Sequence, residues 1–301
     1  MWTDPDWLDG VHAWIAAKLD DRDTTVAGPI EQVHVREWST ALRVPTSDGV
    51  AWFKATLPVL AHEAAVTDII SRRRSDLVPE LLAADFEQGW MLMADGGTRL
   101  RELVERERAL GRWLDVLPRY AELQIDVSSD AHELVTAGCP DRRLGVLPQQ
   151  YESLLERFPE FAGSAPLVAE MCARLESLGI PETIQHDDLH DGQVFVRDGR
   201  YLFFDWGDAC VSHPFLSLSI PLEGVIAWGM DDIEDSVDIA PFRDAYLEVF
   251  TAHAPLDELR EAADVALRLG WVCRAINVEP WALAVDELEG VPIRLRLAFR
   301  D

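Results

Sequence analysis

The chain has 301 residues and a formal net charge of −27, from 54 acidic and 27 basic side chains. This balance argues against nonspecific nucleic-acid binding, which needs a basic surface, and against attraction to anionic membranes. Because 48% of the residues are hydrophobic and no apolar run reaches about 18 residues, the composition predicts a globular protein without membrane spans. The four cysteines are widely spaced and no signal peptide is recognisable, so we expect a reduced, cytoplasmic protein.

The first third of the chain alternates between helical and strand patterns. Residues 5–20 carry apolar side chains at helical spacing. Residues 30–38 and 40–57 alternate as strands, the second containing a turn. A helix is predicted over 60–74, and an apolar strand over 89–97 runs into a glycine-rich link.

The rest of the chain is mostly helical. Helical spacing dominates 98–180, two short strands follow, and the last stretch, 214–301, is helical apart from an acidic run at 229–238. This order predicts an α+β protein of two lobes. A small β-rich N-lobe spans 1–96, a larger helical C-lobe spans 97–301, and a ligand cleft lies between them.

Residues 183–196, TIQHDDLHDGQVFV, allow two interpretations. His186 and His190 have the spacing of a zinc-binding helix, with Asp187 where a general base would stand. That helix is disfavoured, because β-branched residues precede the motif and an Asp-Gly pair follows it. The context therefore predicts a loop between two strands, in which an aspartate flanked by histidines can serve phosphoryl transfer.

The loop interpretation gives three side chains complementary chemistry. Asp188 can accept the proton of an incoming hydroxyl, and the amide of Gln193 can coordinate magnesium. Asp205 ends an apolar strand twelve residues after Gln193 and is well placed as the main magnesium ligand. Hard cations of this kind take oxygen ligands, and phosphate oxygens would complete the shell.

Lys54 is one of only two lysines in the chain, the other being Lys18. It alternates along its predicted strand on the same face as Trp52. A compact ammonium on that face can bind phosphate oxygens, and Glu63 on the following helix can pair with it. The order of lysine, glutamate, loop aspartate with an amide, and final aspartate is the order that protein kinases use.

These motifs resemble the aminoglycoside phosphotransferase family, whose pattern is His-Gly-Asp-Leu-His-x-x-Asn followed by a strand ending in Asp-Trp or Asp-Phe. The resemblance implies a protein-kinase-like fold with a nucleotide cleft, ATP and Mg²⁺ as cofactors, and transfer of the γ-phosphate to a small-molecule hydroxyl. The acceptor would be an aminoglycoside, an amino sugar or a sugar-like molecule.

The resemblance also implies a role for each motif residue. Asp188 matches the catalytic base, and Gln193 and Asp205 match the metal ligands. Lys54 matches the phosphate-binding lysine with Glu63 as its partner. The supporting residues are the loop-bracing histidine, His186, and the family's second histidine, His190.

Three departures from the family pattern keep an alternative open. Asp187 replaces glycine, so two carboxylates compete for the base role; in an extended loop neighbours point opposite ways, which favours Asp188. Gln193 replaces asparagine. The first strand pair lacks a glycine-rich loop, and Ser39 and Thr40 would cover the phosphates instead. The alternative is a nucleotide-binding pseudokinase or regulatory module without efficient turnover.

The base and acceptor sites are less specified by the sequence. Met91 and Met93 are expected either in the core or beside the adenine at the link between the lobes, where their backbone could bind the base. The acidic run could meet a cationic acceptor or be a solvated loop, and nothing in the sequence indicates the oligomeric state. The candidate acceptor contacts are Asp208, Asp231, Asp232 and Trp228.

Overall fold

A computed structural model describes residues 1–300, and its N-terminal part is a five-stranded antiparallel sheet of order β1-β2-β3-β5-β4. Two helices accompany the sheet, α1 (Pro5–Asp20) and α2 (Glu63–Arg74). The strands are β1 (Glu31–Val35), β2 (Ser39–Thr46), β3 (Gly49–Thr56), β4 (Leu81–Asp85) and β5 (Trp90–Ala94).

Helix α1 covers one face of this sheet. It begins after Asp4, whose carboxylate accepts hydrogen bonds from the backbone N–H groups of Asp6 and Trp7 at 3.0 and 3.1 Å. Its apolar stripe is buried, as the helical spacing predicted. The stripe packs against Phe53 and Leu92, so this half of the lobe has its own hydrophobic core.

The opposite face of the sheet is turned toward the C-terminal part, since Lys54 on that face contacts Asp205. The junction between the two parts at these residues is called the cleft. Lys54 on β3 pairs with Ala41 on β2 and with Met91 on β5. Directly paired residues share a face, so these three side chains lie together, while Phe53 and its neighbours face α1. Strand alternation therefore places the lysine opposite the hydrophobic core, as predicted.

The C-terminal part is built on helices around a second, larger core. Its helices are α3 (Leu100–Glu107), α4 (Trp113–Val127), α5 (Ala131–Thr136), α6 (Leu147–Leu155), α7 (Ala165–Glu176), α8 (Ala240–Leu247), α9 (Leu256–Ala284) and α10 (Gly290–Ala298). Helix α9 has 29 residues and is almost wholly buried along one side. None of the helices within residues 1–300 has the length and apolar character needed to cross a membrane.

Two small sheets flank the segment at 183–212 in the C-terminal part. One has the order β6-β8-β9 and the other pairs β7 with β10. The strands are β6 (Thr98–Arg99), β7 (Thr183–Gln185), β8 (Val194–Arg197), β9 (Arg200–Phe203) and β10 (Cys210–Ser212). Strand β10 was not predicted, because three residues carry no periodicity and their partner lies 25 or more residues earlier.

The α+β architecture expected from the sequence is confirmed, with the β-rich part first and the helical part second. The predicted division at residue 96 falls in the link between β5 and β6. Whether the two parts fold as units at that boundary stays a prediction.

Candidate active site

Lys54 lies at the centre of the cleft and is almost fully buried. Its ammonium nitrogen is 2.7 Å from Oε1 of Glu63 at the start of α2, and it also hydrogen-bonds the carboxylate of Asp205 across the cleft. Burial raises the pKa of Glu63 to about 7, against the opposing effect of the lysine. Burial would lower the pKa of Lys54, but the two carboxylates outweigh it and raise the pKa, so the lysine is a fixed positive charge.

Asp205 follows β9 in a left-handed backbone conformation, with φ of 66°. This turn directs its carboxylate into the cleft, where Oδ2 accepts a hydrogen bond of 2.8 Å from the amide of Gln193. Burial would raise the pKa of Asp205, but the adjacent Lys54 reverses the shift and lowers it. Gly207 in the same loop lies against Glu63, whose Oε2 would be 3.4 Å from an added Cβ.

Asp188 lies between Gln193 and helix α9. Its Oδ2 is 3.4 Å from the amide nitrogen of Gln193, and its Oδ1 accepts a hydrogen bond from the guanidinium of Arg274. Its side chain is 21% exposed, and Oδ2 also lies 3.6 Å from Nε2 of His190. Lys54, Asp205, Gln193 and Asp188 thus form one continuous chain of contacts.

Asp187 is oriented away from the cleft. The expectation of an extended loop at this residue was wrong, because Asp187 has a φ of 62° in the left-handed region. Its carboxylate is buried and accepts a hydrogen bond of 2.8 Å from Asn277 on α9. Burial raises the pKa of Asp187 to about 7 despite the nearby Arg274. An aspartate thus adopts, at the position where the resemblance expects glycine, a backbone conformation that glycine reaches at no steric cost.

The two histidines of the motif support the loop and do not form a helix face. His186 hydrogen-bonds the carbonyl oxygen of Phe204 through Nε2 at 2.7 Å, and Nδ1 accepts from the backbone N–H of Asp188 at 3.3 Å. Burial lowers the pKa of His186, which favours the neutral ring. His190 accepts a hydrogen bond of 2.9 Å from the backbone N–H of Gly192. Residues 186–190 are irregular, so the spacing of a zinc-binding helix is not realised.

The two methionines lie deep beneath the cleft. Met91 and Met93 are 0% and 1% exposed and pack with Ala64 and the partly buried Phe204. They lie on β5, the strand that leads into the link between the lobes. Any contact with a base would come from their buried side chains or from the strand backbone.

Trp52 was recognised as a neighbour of Lys54 but not as a candidate for base binding. It pairs with Met93 across the sheet, and its indole Nε1 donates a 2.9 Å hydrogen bond to the carboxylate of Asp95 in the link. Gly96 packs against the ring of Phe195, which an added Cβ would approach to 3.2 Å. Two residues of the link thus contact aromatic side chains, Asp95 with Trp52 and Gly96 with Phe195.

Ser39 and Thr40 differ in their orientation. Ser39 pairs with Thr56 and shares the face of Lys54. The hydroxyl of Thr40 donates to the carbonyl oxygen of His34 at 2.8 Å and accepts from Gln32 at 2.9 Å. The Thr40 hydroxyl is thus engaged within the sheet, and only Ser39 has a side chain facing the cleft.

The proposed acceptor contacts separate into two groups. Asp208 lies in the site, and the described part of the chain offers no hydrogen bond to its carboxylate; burial raises its pKa to about 6 even though Arg274 is near. Asp231 instead forms an exposed ion pair with Arg108 at 3.1 Å. Within residues 1–300 no hydrogen bond or ion pair joins Asp231 or Asp232 to the loop at 186–193.

Trp228 ends a short 3₁₀ turn directly before the acidic run. Its carbonyl oxygen accepts hydrogen bonds from Ile233 and Ser236 at 2.9 and 3.1 Å, so it shapes that loop. These contacts hold the run together, and they do not bring Trp228 to the carboxylates of the site.

Arg274 and Asn277 of α9 are site residues that the sequence analysis missed. They contact Asp188 and Asp187 from 86 to 90 residues further along the chain, a separation over which spacing gives no guide. One signal was available. Both are polar residues in an otherwise apolar helical stretch, and polar groups at buried helix positions need partners.

Comparison with solved structures gives the same fold at low sequence identity. An ethanolamine kinase from Plasmodium vivax is 12% identical, with 90% of this chain and 81% of that chain covered and a TM-score of 0.64. The GDP complex of aminoglycoside 2'-phosphotransferase-IIIa is 13% identical, with 96% of both chains covered and a TM-score of 0.60. A macrolide 2'-phosphotransferase from Brachybacterium faecium is 15% identical, with 95% and 98% covered and a TM-score of 0.54. The two-lobed, protein-kinase-like fold predicted from the sequence is confirmed.

The family comparison covers most of the chain. No curated protein matches the sequence. The model of the phosphotransferase enzyme family matches residues 33–259, which include Lys54, Asp188 and Asp205. The predicted family is therefore confirmed, and an enzyme rather than a regulatory module is supported. The chain belongs to the phosphotransferase enzyme family.

Proposed function

We propose that this kinase transfers the γ-phosphate of ATP, with Mg²⁺, to a hydroxyl group of a small molecule that also carries an amine. The observation that carries the proposal is the contact chain Lys54–Asp205–Gln193–Asp188. This chain crosses the cleft and would bring together a phosphate-binding cation, two oxygen ligands for a metal and a base. Phosphoryl transfer depends mainly on such positioning and on neutralising charge.

The nucleotide lies between the lobes in this proposal. Lys54 binds the α- and β-phosphates and is held by Glu63. The base stacks on Trp52, which is fixed by its hydrogen bond to Asp95, with Met91 and Met93 beneath it. Ser39 and the backbone at the start of β2 cover the phosphates.

The side chains around Asp205 fit a magnesium ion. Asp205 supplies a carboxylate, and the Gln193 amide lies 2.8 Å from it. Rotation of the amide group by half a turn would present its oxygen to a metal ion. No three His, Cys, Asp or Glu side chains among residues 1–300 form a metal-binding group. Two protein oxygens are sufficient, since Mg²⁺ in such sites takes its other ligands from phosphates and water, and when bound it would neutralise phosphate charge.

The chemical step uses Oδ2 of Asp188 as the base. As the acceptor oxygen bonds to the γ-phosphorus, the bond from that phosphorus to the bridging oxygen of ATP breaks and ADP leaves. The hydroxyl proton passes to Oδ2 of Asp188, because Oδ1 is occupied by Arg274. His186 holds the loop in place through its bond to Phe204.

The environment of Asp208 is the argument for an acceptor that carries an amine. Its carboxylate lies in the site with no hydrogen-bond donor among the residues described, and burial raises its pKa to about 6 because nothing compensates the charge fully. An ammonium group of the acceptor would supply that compensation. Ethanolamine and aminoglycosides, named for two of the similar structures, combine an amine with a hydroxyl.

The experiment is ADP release with ATP and Mg²⁺ on matched pairs of acceptors. Each pair differs only by an amine, as in ethanolamine with ethylene glycol or glucosamine with glucose, and an aminoglycoside and a macrolide extend the panel. Asp205→Ala provides the blank. We expect turnover that is absent from the blank and stronger for the amine member of the pair, and Asp208→Asn should raise KM for that member alone.

Two results would contradict different parts of the proposal. Equal turnover of both members of a pair would remove the amine preference and leave the kinase assignment intact. Failure of ATP with Mg²⁺ to raise the melting temperature, together with no turnover of any acceptor, would overturn the proposed chemistry.

A further inference from the structure

Among residues 1–300, Arg274 is the buried cationic side chain that directly contacts Asp188. It lies on α9, with 8% of its surface exposed. Its guanidinium hydrogen-bonds the carbonyl oxygen of Asp187 and Oδ1 of Asp188. Two successive residues of the catalytic loop are therefore held by one side chain from a distant helix.

The contact fixes the orientation of the base. A carboxylate at the end of a short side chain can rotate about its last torsion, and that torsion is broad. Because Oδ1 is bonded to Arg274, the rotation is restrained and Oδ2 faces Gln193 at 3.4 Å. The planar guanidinium can make both contacts at once, since its N–H donors diverge in a fixed fork.

A separate set of contacts already secures Asp187. Asn277, one turn further along α9, donates to Oδ2 of Asp187 at 2.8 Å and accepts from Nε of Arg142 at 2.7 Å. The loop is therefore tied to α9 without Arg274. The contact with Asp188 is additional, and it is made to Oδ1 of the carboxylate whose Oδ2 takes the proton in the proposed chemistry.

We propose that Arg274 is a positioning residue for phosphoryl transfer, acting through Asp188. It holds the carboxylate so that Oδ2 points to the acceptor hydroxyl. The inference rests on the proposed function, in which Asp188 receives the proton of that hydroxyl. A small displacement of a reacting group costs a large factor in rate, so loss of the restraint should act on kcat and leave nucleotide binding unchanged.

The test compares Arg274→Lys with Arg142→Lys in the full chain. Both keep the charge and lose the fork, and both lie in the network that ties the loop to α9. We expect Arg274→Lys to lower kcat by about 10–100-fold with KM for ATP within about twofold of the native value. Arg142→Lys should lower the melting temperature with kcat close to native.

Chemical rescue separates positioning from stability. Methylguanidinium at millimolar concentration should restore part of the kcat of Arg274→Ala and should not raise that of Arg142→Ala. Native kcat in Arg274→Lys, an equal loss in both lysine variants, or absence of rescue in the folded Arg274→Ala protein would overturn the inference.

Asp188→Asn distinguishes this inference from the function on which it rests. If Asp188→Asn is inactive while Arg274→Lys is fully active, only the positioning role is wrong. If Asp188→Asn retains native turnover, Asp188 is not the base and the proposed chemistry itself fails.

Discussion

The two sides of the cleft are built in different ways. On the strand side, Lys54, Trp52 and Met91 project from regular strands, and the contact between Lys54 and Glu63 spans nine residues. On the loop side, Asp187 and Asp188 lie in an irregular loop that is held by α9 from 86 to 90 residues away. Strand geometry orients the first set, and long-range hydrogen bonds orient the second.

This difference has a consequence for how each side tolerates change. Strand side chains keep their direction as long as the sheet remains, because alternation fixes which face they occupy. The loop has no ladder of its own, so its side chains depend on their partners for orientation. Substitutions on the strand side should therefore change affinity, and substitutions on the loop side should change turnover.

The largest expected effect is on the loop side, in Asp188→Asn. Without a base of the right geometry, kcat should fall by about 10²–10⁴-fold, while ATP binding, followed by thermal shift, is nearly unchanged. Asp187→Asn is the matched control, since its carboxylate is buried against Asn277 and does not reach the cleft. If Asp187→Asn lost turnover while Asp188→Asn kept native turnover, Asp187 rather than Asp188 would be the base.

The same comparison explains what the sequence could predict. Lys54, Glu63 and the alternation of β3 were accessible because periodicity is local, and Asp188 and Asp205 were recognised through a motif. Arg274 was not, since its partner is set by the packing of α9 on the loop. The backbone of Asp187 was also mispredicted, because left-handed φ is uncommon outside glycine and nothing in the neighbouring residues indicates it.

Gln193 lies between the two sides, and its removal should affect metal use. In Gln193→Ala, Asp205 loses a 2.8 Å partner and the metal loses a ligand, so we expect the Mg²⁺ concentration for half-maximal activity to rise by about 10–100-fold. The measurement is a Mg²⁺ titration at saturating ATP. Gln193→Asn keeps an amide on a side chain one methylene shorter, so its Mg²⁺ concentration for half-maximal activity should lie between those of the native protein and Gln193→Ala. An unchanged Mg²⁺ dependence in the alanine variant would show that Gln193 is not a metal ligand.

A smaller effect is expected on the strand side from Trp52→Ala. Stacking of a base on an aromatic ring contributes about 1–3 kcal/mol, so KM for ATP should rise by about 10-fold with kcat nearly preserved. Trp14, which packs in the other core against Phe53, serves as the control; its substitution by alanine should lower the melting temperature and leave KM for ATP unchanged. A fall in kcat at constant KM would show that strand and loop substitutions do not divide between affinity and turnover.

The smallest effect on turnover should come from Asp187→Asn, where stability is the informative measurement. The pKa of Asp187 is about 7 in the folded protein and near 3.8 when exposed, so between these values the folded state binds a proton that the unfolded state lacks. The contribution of this group to stability is therefore lost as pH rises from about 4 to about 7. Asparagine tolerates the left-handed backbone, keeps the shape and does not titrate. The melting temperature of Asp187→Asn should rise relative to that of the native protein between pH 5 and about 7. A constant difference across this range would show that the Asp187 carboxyl does not titrate there and that its bond to Asn277 and the nearby charge of Arg274 compensate its burial.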